Sequence, residues 1–342
     1  MGRLVAAPDK FRGSATATEI ARAIAEGAPA SEWTVDRLPL SDGGEGLLDA
    51  LVTPDTELCQ SEVTGPDGRT VCAEWQLTGG RAVVEMAQAS GLTLVGGPSG
   101  NHPVDATTRG TGELIVAAAR AVGSGGTVVV GLGGSATTDG GVAALEAVQD
   151  AGGVAGVTLL GACDVTSLFV DAATRFGPQK GAGPKEIRVL TDRLVSLADR
   201  YLAEYGVDVR DVPGSGAAGG LGGAILAMGG RLRSGYALVS ELVGLRSRLV
   251  GADLVVTGEG RLDGPSFEGK VVGGVVEDSA AVAVPVLAIV GQATDDAAVI
   301  AQKKGADLVV LSERYGLARA MTDTSACVEE VVSDRLSSRS TA

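Results

Sequence analysis

Aromatic residues are scarce in this chain: Phe, Trp and Tyr make up 3% of its 342 residues, so the core has to be assembled from Val, Leu, Ile and Ala. Histidine is almost absent. The single imidazole, His102, precedes Pro103 and would have to serve a serine–histidine triad or a zinc site alone, which turns attention to Asp and Glu, and less to Lys, as general bases. Cys59, Cys72, Cys163 and Cys327 show no CxxC spacing, so neither a zinc knuckle nor a disulfide framework is indicated, and free thiols in a reducing cytoplasm are expected. Positive charge is short as well. With 28 Lys and Arg against 42 Asp and Glu, the formal net charge is −14, a field that repels duplex nucleic acid and anionic membranes while a few local cations can still hold a small anion. No uninterrupted apolar run approaches the ~18–20 residues of a membrane span, and the opening "RLVAAPDK" lacks the charged-then-apolar pattern of an export signal. The expectation is a soluble cytoplasmic protein without nucleic-acid or membrane partners, with a homo-oligomer left open.

What is present is a repeating strand-then-helix pattern. At ~100–200 residues per domain the length suggests two domains. Short β-branched runs each end in a glycine or acidic loop and lead into an Ala/Leu-rich helical pattern: residues 3–10, 127–135, 252–260, 284–292 and 306–313. That is the signature of βα units around a parallel sheet, so the fold class is α/β. Residues 56–86 instead alternate apolar and polar side chains around the turn signals PDG and TGG, which predicts an antiparallel meander of three strands. The composition change places a discontinuous Rossmann/flavodoxin-like domain at 1–64 plus 246–342, with a second α/β domain inserted at 65–245. Residues 184–250 read as mostly helical, with Pro184 suited to a first helical turn, and the chain ends in the polar tail "SSRSTA".

Two phosphate-type motifs are imperfect. "GSGAAG" at 214–219 matches G-x-G-x-x-G, but no acidic residue ends a strand about 20 residues later, which favours helix packing or an anion-binding turn over a dinucleotide site. "GPSFEGKV" at 264–271 resembles a Walker loop, yet Val271 stands where Ser or Thr is required, and the strand at 254–257 is expected to end well before it.

Four loops carry the chemistry. "APDKFRGS" (7–14) brings Asp9, Lys10 and Arg12 between a strand and a helix that Ser14 can cap. "LPLSDGGEG" (38–46) delivers Asp42 and Glu45 around Gly43 and Gly44; helix capping accounts for the acids but not for the glycines. "VVVGLGGSATTDGG" (128–141) crowds Gly133, Gly134, Ser135 and two threonines around Asp139, a natural phosphate or carboxylate cradle. "TGEGRLDGPSFEGK" (257–270) combines Glu259, Arg261, Asp263 and Lys270, and surface ion pairing is the plain alternative. Glycine loops, carboxylates, a few cations and no usable histidine suit phosphoryl transfer, which needs Mg²⁺ on oxygen ligands, cations on the phosphates and a carboxylate for the acceptor hydroxyl.

Together with "ATTRGTGELI" (106–115), "FGPQKGA" (176–182) and "PGSGAAGGLG" (213–222), these loops form an ordered series that resembles the type I glycerate kinase family from about residue 3 to 312. The resemblance implies a two-domain α/β fold with the active site in the interdomain cleft, and ATP-dependent phosphorylation of D-glycerate, in bacterial members usually giving 2-phosphoglycerate. The positions it carries over are Lys10, Ser14, Asp42, Glu45, Arg109, the Gly133 to Asp139 loop, Lys180, Glu259, Arg261, Asp263 and Lys270. Our assignment among them gives Asp42 the glycerate hydroxyl, with Asp139 as rival base, and Glu259 with Asp263 the Mg²⁺. Lys10, Arg261 and Lys270 then face the phosphates, Arg109 and Lys180 the substrate carboxylate, and Ser14, Gly43, Gly44 and Glu45 line the substrate. The chain departs from the family pattern at "ACDVTSLFVDAATRFGPQKGA" (162–182), which leaves room for a different small hydroxy acid as acceptor, and a 3-phosphoglycerate product is the other alternative.

Overall fold

In the computed structural model, which describes residues 1–339, the chain divides into two compact units. The last three residues of the polar tail lie outside the described residues. The first unit comprises Met1–Asp42, Asp49–Leu51 and the chain from Gly235 onward; the second comprises Gly43–Leu48 and Val52–Ser234.

The strands in chain order are β1 (Gly2–Ala6), β2 (Trp33–Arg37), β3 (Glu57–Thr64), β4 (Thr70–Thr78), β5 (Arg81–Glu85), β6 (Thr127–Gly131), β7 (Thr158–Ala162), β8 (Arg231–Arg233), β9 (Leu254–Leu262), β10 (Val286–Ala293) and β11 (Ala306–Val310). In the first unit they form a five-stranded sheet in the order β11-β10-β9-β1-β2, every pair parallel. Leu4, Ala6, Val256, Leu287 and Ile289 are buried on one face with Ile20 and Ile24 of the helix Ala17–Glu26 and Val328, Val331 and Val332 of the helix Thr324–Arg339. Alternate strand residues such as Val5 and Val255 are equally buried, because a parallel sheet is covered on both sides; the helix Val271–Ala280 packs on β9. Thr16, not Ser14, caps the first helix: its hydroxyl accepts from Glu19 N while the Glu19 carboxylate takes Thr16 N. Ser14 turns back to donate to the Phe11 carbonyl at 3.2 Å.

The second unit holds a six-stranded sheet in the order β3-β4-β5-β6-β7-β8. The first three strands pair antiparallel, as the alternation predicts, and the last four run parallel. Strand β3 bonds to β4 along its whole length, Glu57↔Leu77 to Thr64↔Thr70, so it groups with the second unit although it lies before residue 65. Pro184 occupies the first turn of the helix Pro184–Tyr205. Phe169, in the segment that departs from the family pattern, is fully buried, and Cβ atoms added at Gly220 or Gly223 would meet its ring at 2.9 and 2.5 Å. That segment therefore supplies core at Phe169.

The structure corrects one boundary. Glycines make "TGEGRL" look like loop, but β9 continues to Leu262, with Glu259↔Val290 and Arg261↔Gln292 paired to β10, and so feeds directly into the turn Gly264–Phe267. "GSGAAG" has no strand leading into it. Its last residues enter a kink where Ala218, Gly219 and Gly220 all take positive φ, and a Cβ on Gly219 would lie 2.0 Å from the Thr137 carbonyl oxygen.

Candidate active site

In the first unit, β9, β1 and β2 are neighbours, so the loops leaving their carboxyl ends are neighbours too. Short backbone bonds extend the pairing past the strands: Ala7 N to Val256 O, Asp9 N to Gly258 O and Leu40 N to Pro8 O, at 2.8, 2.8 and 2.9 Å. This brings Asp9, Lys10, Asp42 and Glu259 to one edge. Lys10 Nζ lies 3.4 Å from Asp42 Oδ1 and 3.8 Å from Asp9 Oδ1, and Asp9 Oδ1 accepts Lys10 N at 2.7 Å. Asp9 is 7% exposed, and burial drives its carboxyl up to about 7; Lys10 and Lys270 pull the other way, and Asp42 adds to the rise. Burial raises Glu259 to about 7 as well, with Asp9 adding to it and Ser266 and Lys270 opposing.

Glu259 Oε1 is buried with no hydrogen-bond partner. Asp263 Oδ1 caps the following turn, accepting Ser266 N at 3.2 Å and Ser266 Oγ at 3.1 Å. Lys270 is the residue before the helix Val271–Ala280, and Arg261 is exposed on β9. Among the described residues, no group of three or more His, Cys, Asp and Glu is placed to hold a metal ion. Mg²⁺ is ordinarily carried by one or two carboxylates together with substrate phosphates and water, so an orphan carboxylate oxygen beside a capping aspartate fits that donor chemistry.

In the second unit, the loop after β6 is the counterpart. Leu132 N bonds to Gly43 O at 3.1 Å, and a Cβ on Gly133 would come 2.6 Å from Gly44 Cα. Gly133 thus packs backbone on backbone against Gly44, and Gly43 takes φ +85, a left-handed conformation that suits glycine; capping by the neighbouring acids accounts for neither. Glu45 is exposed. Within the loop, Gly134 is exposed with φ +66, Gly133 is half-buried and Ser135 is 8% exposed.

The foot of this loop is enclosed. Asp139 Oδ2 accepts Thr108 N and Oγ1 at 2.9 and 2.8 Å, and Oδ1 accepts Gly141 N at 3.1 Å. Burial pushes the Asp139 carboxyl up while these donors pull it down. Lys180 is 3% exposed and donates to the Thr137 carbonyl at 2.6 Å; burial drives its amine down to about 7, opposed by Asp139. Arg109 is exposed, with Nε 3.3 Å from Glu113 and a terminal nitrogen 3.4 Å from Asp150.

Lys10, Asp42, Glu259, Asp263 and Lys270 therefore belong to one unit's sheet edge with Arg261 and Ser14 nearby in sequence, whereas Gly43, Gly44, the 133–139 loop and Lys180 belong to the other unit. Sequence reasoning gave no role to Asn101, Thr108 or Glu85, which accepts Leu48 N at 2.9 Å from the short helix Leu47–Ala50. Thr108 was open to detection as the residue before the helix Arg109–Val122, whereas nothing around Asn101 announces its bonds.

A model of the glycerate kinase family matches residues 4–151 and 149–337. Glycerate 2-kinase of Escherichia coli (strain K12) is 38% identical over 341 residues, covering 88% of each chain, and glycerate kinase of Bacillus subtilis (strain 168) is 37% identical over 88% of this chain and 87% of that one. A solved structure from Salmonella typhimurium LT2, described as a glycerate kinase 2, aligns with a TM-score of 0.82 at 33% identity, covering 100% of this chain and 99% of the other. With its ordered loops, its two α/β units and matches over nearly its full length, the chain belongs to the glycerate kinase family.

Proposed function

We propose that this protein is a cytoplasmic glycerate kinase that transfers the γ-phosphoryl group of ATP to the 2-hydroxyl of D-glycerate, giving 2-phosphoglycerate and ADP. The observation that carries the reading is the Lys10 ammonium set between the Asp9 and Asp42 carboxylates at the carboxyl edge of a parallel sheet. Phosphoryl transfer is largely a matter of positioning and charge stabilisation, so a cation beside a partly exposed carboxylate is the needed minimum. Asp42 orients the glycerate hydroxyl and takes its proton. Asp139 suits that task less well because three donors already occupy it in a closed environment.

Lys10, Arg261 and Lys270 offset phosphate charge, and the Gly133 to Ser135 tip holds phosphate or carboxylate. Ser14 and Glu45 flank the substrate, and Arg109 reaches the substrate carboxylate by exchanging its surface ion pairs. Lys180 acts through the Thr137 carbonyl that it grips. Glu259 and Asp263 would hold Mg²⁺, which neutralises the nucleotide phosphates when bound.

The test is purified protein with ATP, Mg²⁺ and D-glycerate, the product identified by phosphorus NMR. A 2-phosphoglycerate signal is expected; 3-phosphoglycerate refutes the 2-hydroxyl assignment, and equal turnover of other small hydroxy acids refutes the acceptor. In the same assay Asp42→Asn is expected to lower kcat by ~10²–10⁴ with the fold intact. Near-normal turnover of Asp42→Asn, alongside loss in a folded Asp139→Asn, would reverse the two roles.

A further inference from the structure

Asn101 is 8% exposed and belongs to none of the four chemistry-bearing loops. Its Nδ2 donates to two carbonyls from different segments, Ala136 at 3.0 Å and Lys180 at 2.9 Å. Lys180 then closes the circuit, because its Nζ reaches the next carbonyl of the loop, Thr137 O, at 2.6 Å. Asp139, two residues further on, is gripped by Thr108. Ala136, Thr137 and Asp139 are thus each held by a buried side chain from elsewhere in the chain.

The loop does little to hold itself at this point. Thr137 and Thr138 are fully buried, yet neither hydroxyl has a hydrogen-bond partner, so no local hydroxyl turn sets their backbone. Buried backbone carbonyls demand partners, and the ones available to Ala136 and Thr137 are the Asn101 amide and the Lys180 ammonium. Just before this foot, the Gly134 carbonyl accepts Leu92 N at 2.8 Å and Ala136 N donates to the Ser90 carbonyl at 2.9 Å, so the tip is tied to residues 90–92 on one side and to the foot on the other.

We infer that Asn101 is a positioning residue: by clamping the Ala136 carbonyl to the Lys180 turn, it fixes the anchored end of the loop whose Gly133 to Ser135 tip receives an oxyanion of a substrate. The inference rests on the proposed function only for what the tip holds. The clamp makes no contact with the tip itself, so its loss acts on the loop's position and not on a ligand contact. A group held at the tip would lose alignment, which the kinetics report as a selective rise in one KM.

The experiment is Asn101→Leu, similar in size but unable to donate, with KM measured separately for ATP and D-glycerate, together with amide hydrogen exchange over residues 132–141. Expected is at least a tenfold rise in KM for one substrate, the other KM within twofold, and at least tenfold faster exchange in the loop. Asn101→Gln, which keeps the donor pair, should recover part of the loss. Should N101L fail to fold, the isosteric Asn101→Asp carries the same readouts. The inference is overturned if a folded variant keeps both KM values within twofold, or if both rise equally with a lowered thermal midpoint, the mark of a purely structural role. If wild-type protein does not phosphorylate D-glycerate, the proposed function fails; unchanged loop exchange in the variant then overturns the clamp independently.

Discussion

Lys180 is a cation enclosed by protein, and that placement has a pH signature. In the unfolded chain the amine keeps its proton to about 10.5, whereas in the fold burial lowers this to about 7, against the pull of Asp139, the titratable group that faces it. Between those values the unfolded state binds more protons, so this lysine makes stability rise with pH across that window. Below it, folding must either bury the ammonium or open the site. Lys180→Met removes the titration. Comparing thermal midpoints of the two proteins at pH 7 and pH 9 should show the balance moving in favour of wild type at the higher pH, and a constant difference would refute it. Asp139 contributes with the opposite sign at lower pH, because its raised pKa means stability is lost as pH rises through its folded value.

Among the elements, the turn 42–46 and the loop after β6 meet as glycine on glycine. A methyl at Gly133 would sit 2.6 Å from Gly44 Cα and 3.1 Å from Glu45 N, both backbone atoms that cannot swing aside as a side chain would. Gly133→Ala should therefore cost ~1–3 kcal/mol in chemical denaturation, the range for overpacking a closed contact, and unchanged stability would show that the two segments separate freely. The same pair shows why some elements are legible in sequence and others are not. Gly43 and Gly44 announce a close approach without saying to what, because the partner lies about ninety residues away. "TGEGRL" misleads in the other direction. Glycine weakens intrinsic strand preference, yet pairing to β10 through Gln292 and Ala293 overrides it, as tertiary context commonly does. Ser14 and Thr16 both suit an N-cap, and the Glu19 carboxylate three residues on decides for Thr16, a capping box visible in "TATE".

For the molecule as a whole, the pattern of β-branched runs followed by helices was enough to specify two α/β units, since each run must be covered on both faces to be buried. The candidate site was legible as a set of loops for the same reason: glycine and acid at strand ends break the apolar periodicity. The clamp on the loop was not. Asn101 and Lys180 act through backbone carbonyls distant in sequence, and no local spacing encodes such a bond.

Strand β1 pairs with β9 by placing Leu4 against Leu254, so the centre of the first sheet is closed across some 250 residues. Bringing such distant segments together has an entropic cost that grows with the logarithm of their separation and slows folding more than it weakens the product. During synthesis, β1 and β2 emerge first and lack their inner neighbour until β9 has been made. The second unit has its β3 to β8 sheet complete by Arg233. The chain thus assembles from the inside outward, and pulse-labelled amide exchange during refolding should find β6 protected before β1. Simultaneous protection of both strands would mean that the long closure is not the slow step.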